Sequence, residues 1–287
     1  MNRQRITAIG LMLASALSFS LMQVFIKLSA GAVGTFQQAF FRNLITLAAA
    51  WHILRGKHIP IWASVRRAGW SIWVRSLLGF FSVTTFFYAA GHGRQTDVAM
   101  LSRSMPVFVM LLSVPILKER LTAAKALSAA LCMAGAYISM QPSFDSDPLP
   151  IAAALVSAVL SAAAYTALSY CQRQTEPNVI IFHFAAVSTG CCALWMLPGL
   201  TVPSPRVLLH LCMIGVFAAC GEFFLTYAYR NAPASEVSIY QYSGVVFTAI
   251  LSLLIFGEPL CSTTVLGGAL IFAAMFGVLP RRRAEAS

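Results

Sequence analysis

Apolar stretches of about 20 residues recur from one end of the chain to the other, separated by a few polar, glycine or proline positions. In helical form a run of that length covers about 30 Å, the thickness of a bilayer's hydrocarbon. The pattern predicts ten crossing helices: residues up to 28, then about 36–54, 70–90, 96–117, 122–140, 150–171, 178–197, 206–230, 233–256 and 262–280. The first imitates a secretory signal, with Arg3 and Arg5 before an apolar run and Ala14-Ser15-Ala16 resembling a cleavage site. It continues to Lys27 and is long enough to span, so it reads as a retained helix. One stretch, QPSFDSDPLP at 141–150, reads as a linker because its prolines break helical structure.

The pattern occurs twice. Residues 86–138 and 225–277 align without gaps at an offset of 139, which puts Tyr88 on Tyr227, Asp97 on Glu236, Ser104 on Ser243 and Glu119 on Glu258. Two acidic residues 22 positions apart recurring in register, in a chain with nine of them, mark a duplication rather than shared composition. The repeats take residues 7–140 and 149–280, five helices each. Five is odd, so the second repeat enters the membrane in the opposite sense to the first. The fold class expected is an all-α integral membrane protein of ten transmembrane helices in two inverted five-helix repeats.

Composition narrows the picture in one respect and charge in another. The chain is 59% hydrophobic and 10% charged, where soluble domains are about 25% charged. A net charge of +11 could suggest nucleic acid, but its placement is that of membrane orientation. With the N-terminus inside, inner segments hold Arg3, Arg5, Arg55, Lys57, Arg66, Arg67, Lys118, Arg120, Lys125, Arg173, Arg230 and Arg281–Arg283, while outer loops hold Arg94 and Arg206. Both termini are therefore expected on the cytoplasmic side of a cytoplasmic (inner) membrane. The seven cysteines show no metal-ligand spacing and read as small buried residues. No metal and no cofactor are expected.

FFRNLITLAAA in the second helix, MPVFVMLLSVPILKERLT ending the fourth and VVFTAILSLLIFGEPL ending the ninth resemble EamA repeats of the drug/metabolite transporter superfamily, over about 7–280. The resemblance implies a ten-helix carrier working by alternating access, its central cavity lined by helices that include the third, fourth, eighth and ninth. It implies no particular substrate, since members carry amino acids, nucleotide sugars, vitamins, cofactors and drugs. This chain departs from the pattern at Arg103, three residues before Pro106, where many members have a small or apolar residue.

An ionisable group inside a spanning helix is costly and marks a pathway or a buried partner. Arg42, Arg103, Glu222 and His183 qualify. Arg103 and Arg42 stand about 10 Å below the outer ends of their helices, in the half of the membrane that the orientation rule disfavours for cations. Lys27, close to an outer end, can instead snorkel or pair, and Arg42 suits a fold or gating role. The offset places Tyr242 on Arg103 and Gln241 on Ser102. With Tyr240 these supply hydroxyl, amide, ring and guanidinium to a small molecule carrying a carboxylate or phosphate; the alternative is that they satisfy one another. Glu222 has Val83 as its counterpart and either exchanges a proton in each cycle or acts as a fixed counter-ion to Arg103 or another cation. His183 offers an imidazole for the same purpose or is a packing residue. Asp97 and Glu236 begin equivalent helices, where a carboxylate suits the N-terminal dipole. Glu119 and Glu258 end equivalent helices and hold turns. All four are expected to be structural or gating.

Two alanine-rich stripes, Ala126, Ala130 and Ala134, and Ala269, Ala273 and Gly277, permit close helix approach within a repeat or in a homodimer. The expected function is secondary transport of a small organic metabolite, anionic or zwitterionic and amino-acid-like, exported and coupled to protons through Glu222. Its partners are that substrate and the lipid bilayer, with no nucleic acid. Uptake of a vitamin- or cofactor-type metabolite is the alternative. A membrane-embedded acyltransferase is a second one, from the H-x4-D spacing of His92 and Asp97. Its companion phosphate-binding motif is missing, as are a phosphate loop, a dinucleotide fingerprint and HExxH.

Overall fold

The computed structural model describes residues 3–29, 31–142, 147–257 and 259–277. Those residues form helices and no strand: α1 (Arg3–Leu28), α2 (Thr35–Gly56), α3 (Ile61–Ala68), α4 (Trp70–His92), α5 (Gln95–Ser102), α6 (Met105–Leu117), α7 (Ala123–Met140), α8 (Pro148–Cys171), α9 (Pro177–Met196), α10 (Pro205–Asn231), α11 (Ala234–Val237), α12 (Ser243–Phe256) and α13 (Ser262–Gly277). Among the described residues eight segments are long and apolar enough to cross a membrane, with α5–α6 and α11–α12 each counting as one. With the shorter apolar α13 and the 22-residue α2 they make the ten segments the sequence predicts. Glu258 and the three terminal arginines lie outside the described residues.

The basic loop expected after α2 contains a helix, α3. Ile61, Val65 and Ala68 recur every three to four residues there, enough to give about two turns a face to dock.

The chain forms two compact units, residues 1–80 with 167–231 and residues 81–166 with 232–287. Each contains parts of both repeats, and α4 and α8 pass from one unit to the other. In the first unit α1 packs along α10, and α2 lies against α9 and α10. Glycines make this possible: a Cβ at Gly221 would come within 2.8 Å of the Phe19 ring, and one at Gly215 would overlap Ile45. Ser15 Oγ donates to the Gly221 carbonyl at 2.8 Å. The second unit repeats that bond with other residues, Ser157 Oγ donating to the Ser82 carbonyl at 2.9 Å. In both units a hydroxyl from the first helix of one repeat meets a carbonyl on the third helix of the other.

The seam between α7 and α13 displays the repeat symmetry. Ser128 Oγ donates to the Ala274 carbonyl at 2.8 Å, and Cys132 Sγ lies 3.9 Å from the carbonyl of Ile271, its counterpart 139 residues later. Gly135 faces Gly267 so closely that a Cβ on Gly135 would sit 2.7 Å from the Gly267 carbonyl oxygen. Numbers rise along α7 as they fall along α13, so the two last helices of the repeats run antiparallel. Equivalent helices in opposite senses are what inversion of the repeats requires. The alanine stripes lie elsewhere: Ala126, Ala130, Ala134, Ala269 and Ala273 are exposed. Four-residue spacing of small side chains fits more than one face of a helix, and the face carrying glycine and serine is the one that lets backbones meet.

Both spans that the sequence predicts as single helices at 96–117 and 233–256 are broken. In the first, residues 103–104 form a turn between α5 and α6. In the second, Ser238–Tyr242 is a 3₁₀ segment between α11 and α12. The repeat-equivalent serines close both breaks: Ser104 Oγ donates to the Leu101 carbonyl at 2.6 Å and Ser243 Oγ to the Tyr240 carbonyl at 2.7 Å. Such side-chain bonds compete with the regular helical ladder and tighten it locally. Pro106 adds to the first break, since it has no N–H for the Ser102 carbonyl.

Candidate functional site

The two units hold intramembrane arginines at distinct kinds of site, Arg75 in the first and Arg103 in the second. In the first unit Arg75 Nη2 on α4 lies 2.8 Å from Glu222 Oε1 on α10, with side chains only 2% and 4% exposed. The guanidinium carbon also sits 4.3 Å from the centroid of the Phe184 ring on α9. Gly79, one turn along α4, leaves the space: a Cβ there would be 2.6 Å from Arg75 Nη1 and 2.8 Å from Phe184. The neighbouring pair of residues extends the cluster, Ser76 Oγ lying 2.8 Å from His183 Nδ1. The Trp73 ring meets the same imidazole edge-to-face at 4.5 Å. Carboxylate, guanidinium, imidazole and hydroxyl are thus all buried and mutually engaged, which lowers the cost of keeping them out of water.

Glu222 is therefore partnered by a cation that sequence reasoning passed over. Arg75 stands five positions into the 70–90 apolar run, and the test that singled out Glu222 applies to it equally. Of the other candidates in this unit, Arg42 Nη1 donates to the Oδ1 of its neighbour Asn43 at 3.2 Å, and Asn43 Nδ2 approaches Cys192 Sγ at 3.9 Å. Lys27 is exposed in the last turn of α1.

The second unit places Arg103 as the residue that ends α5, at the break itself. It is half-buried, and its guanidinium makes no hydrogen bond or ion pair with a described residue. Tyr242, in the other broken span, lies near enough to be coupled to it electrostatically. The structure thus brings together the two residues that the repeat offset equates. Tyr242 is fully buried, and its hydroxyl donates to Met133 Sδ at 3.8 Å. Tyr240 is buried with its ring 6.1 Å from that of Phe276. Ser102 Oγ donates to the Val98 carbonyl at 2.8 Å, so it serves its own helix, and Gln241 is half-buried. An apolar groove of about 670 Å³ runs alongside, lined by Met100, Val107 and Met110 of α5 and α6 and by Ala126, Ala130 and Met133 of α7.

Glu119 accepts the backbone N–H of Ala234 at 2.8 Å through Oε1 and that of Ser235 at 2.9 Å through Oε2, capping α11. Lys125 Nζ reaches Ser235 Oγ at 2.8 Å beside it. Asp97 and Glu236 both stand in the first turns of their helices and are buried. His92 stacks on Tyr88 at 4.5 Å and its Nδ1 contacts the Tyr88 carbonyl at 2.9 Å, on its own helix.

The chain is similar to known proteins over most of its length. The pseudopaline exporter CntI of Pseudomonas aeruginosa is 29% identical over 269 residues, covering 92% of this chain and 94% of that one. The S-adenosylmethionine uptake transporter of Rickettsia felis is 24% identical over 96% of this chain and 92% of that one. The riboflavin transporter of Brucella anthropi is 28% identical over 207 residues, 70% of this chain and 73% of that one. One crystal structure shares the fold with a TM-score of 0.85 at 19% identity, covering 96% of this chain and 99% of that chain. The EamA-like transporter family itself matches residues 6–141 and 148–279. A multi-pass helical chain matched across both halves in this way belongs to the EamA-like transporter family, a family of carriers of small molecules and not of enzymes.

Proposed function

We propose that this chain exports a small anionic or zwitterionic metabolite, amino-acid-like in its charged end, across the cytoplasmic membrane by alternating access, with both termini cytoplasmic. The observation that carries this reading is Arg103: a guanidinium inside a spanning segment, at a break in the helix, without a hydrogen-bonding or ionic partner among the described residues. A charge at that depth is costly, and a ligand carboxylate would offset the cost when it binds. Broken spanning helices are where carriers place such ligands, because backbone released from the ladder can face them. Tyr242, Tyr240, Gln241 and Ser102 border Arg103 in this reading, and the apolar groove suits a less polar part. The exporter relative, similar over nearly the whole chain, supports the outward direction.

Proton coupling is assigned to the Arg75–Glu222 pair with His183 beside it. A proton on Glu222 would leave Arg75 buried without its counter-charge, so uptake of the proton would accompany opening of the pair. Lys27, Arg42, Asp97, Glu236, Glu119 and Glu258 take structural or gating roles.

A thermal-shift screen of metabolites on purified protein, followed by counterflow in liposomes, tests the substrate class, since a ligand of the native state raises its midpoint. Stabilisation by carboxylates that disappears in Arg103→Ala is the expected result. Stabilisation by cationic or neutral solutes alone, unaffected by that change, would sink the reading. For coupling, Glu222→Gln should abolish the response to an imposed pH gradient while exchange persists in part.

A further inference from the structure

The segment joining α2 to α4 has a composition the transport mechanism leaves unused. With the last turn of α2 it carries Arg55, Lys57, Arg66 and Arg67, and no acidic residue occurs in the chain before Asp97. All four cations are exposed and none forms an ion pair with a described residue. The acidic residue on the element packed against it is already engaged: Glu176, ahead of α9, holds Arg230 at 3.3 Å.

Two tryptophans flank these charges, Trp62 at 83% and Trp70 at 74% exposed. The Arg55 guanidinium sits 4.9 Å from the centroid of a third, Trp51. The opposite face of α3 is docked, with Ser64 and Ala68 buried and Thr175 Oγ1 donating to the Ser64 carbonyl at 3.3 Å. Because α2 and α4 are membrane segments, the short stretch between Gly56 and Trp70 cannot leave the interface. Indole rings favour that depth, with the apolar body among acyl carbons and the N–H at headgroup level. A docked amphipathic helix with cations and indoles on its free side fits a surface of negative charge over hydrocarbon.

We propose that α3 and its flanks form a binding surface for anionic phospholipid headgroups of the adjoining leaflet. Arg55, Lys57, Arg66 and Arg67 take the phosphates, and Trp62 and Trp70 seat at the acyl boundary. This goes beyond the transport reading and does not depend on it. A general excess of positive charge on one side would be met by cations anywhere in the loop. Here two of them share the short α3 with the exposed Trp62, and the other two and Trp70 stand at its flanks.

The test uses full-length protein in which Trp51, Trp70, Trp73 and Trp195 are replaced by Phe, leaving Trp62 as the reporter. It is reconstituted in phosphatidylcholine vesicles containing a minor fraction of brominated phosphatidylglycerol or, in parallel, brominated phosphatidylcholine. Stronger quenching of Trp62 by the anionic lipid is expected, weakening as salt rises. The preference should fall about fivefold for each cation neutralised, so Arg66→Gln/Arg67→Gln lowers it and the further change of Arg55 and Lys57 to Gln removes it. Equal quenching by the two lipids, or a preference that survives all four changes, would overturn the proposal. So would its loss to inorganic phosphate but not to chloride of equal ionic strength, because the ligand would then be free phosphate and not lipid.

Discussion

Arg75 and Arg103 are the same side chain solving different problems. Arg75 is almost fully buried, bonded to Glu222 and stacked on Phe184, with Gly79 cleared to make room. Arg103 is half-buried at a helix break and meets a tyrosine but no carboxylate. The first has its counter-charge built into the chain, so it needs no ligand to offset it. The second lacks one, so it is available to a ligand. What separates them is the presence of a partner more than their depth.

Removing one partner of the buried pair should have the largest effect. Glu222→Ala or Arg75→Ala leaves an uncompensated charge and should cost about 3–5 kcal/mol of stability, seen as a lowered thermal midpoint in detergent. The double change Arg75→Met/Glu222→Leu should regain most of that loss. Single variants as stable as the parent would erase the distinction drawn here. Arg103→Ala comes next, and its effect should fall on ligand and not on fold. A guanidinium–carboxylate contact is worth about 1.5–3 kcal/mol, so affinity for a confirmed ligand should drop about ten- to a hundredfold with an unchanged midpoint. Arg103→Lys, which keeps charge but loses the fork, should fall between.

The fold was legible because hydrophobic runs and a 139-residue self-match survive in the sequence without any tertiary knowledge. The inversion followed from an odd count and reappears in the antiparallel α7 and α13. Pairings were less legible. Nothing in the sequence says that Arg75 meets Glu222, since they are 147 residues apart and neither has a charged repeat counterpart. The breaks at Arg103 and Ser238–Tyr242 were hidden too, because a serine bonding three residues back leaves hydropathy unchanged. Ser104 falling on Ser243 was visible, but its meaning was not. The small-residue stripes lie on an exposed face, so the spacing was real but does not serve packing within a repeat.

Glu119 offers an intermediate case, a carboxylate compensated by backbone dipoles and not by a cation. Glu119→Ala should remove both bonds to the start of α11 and cost about 1–2 kcal/mol, read as a lower thermal midpoint with ligand affinity preserved. The smallest effect should come from Lys118, which ends α6 in the left-handed region at φ +57°, where the other repeat has Gly257 at φ +66°. Lys118→Gly should relieve that strain and raise stability by about 0.5–1 kcal/mol; a lower midpoint would mean that the lysine side chain has a contact worth more than the strain.

The α7–α13 seam has a consequence for how such a chain could arise. Its contacts come in reciprocal pairs about a pseudo-dyad, with Cys132 against Ile271 near the axis. A surface of that kind is complementary to its own inverted copy. A five-helix ancestor inserting in both orientations would have met itself along this face before any fusion joined the halves. Near the axis a mutation in that ancestor would have altered both sides of a contact at once, and away from it one side of two equivalent contacts. Fusion released that restriction. A sulfhydryl could then face an isoleucine where two identical residues once met, and one half could acquire an Arg103 while the other kept a tyrosine.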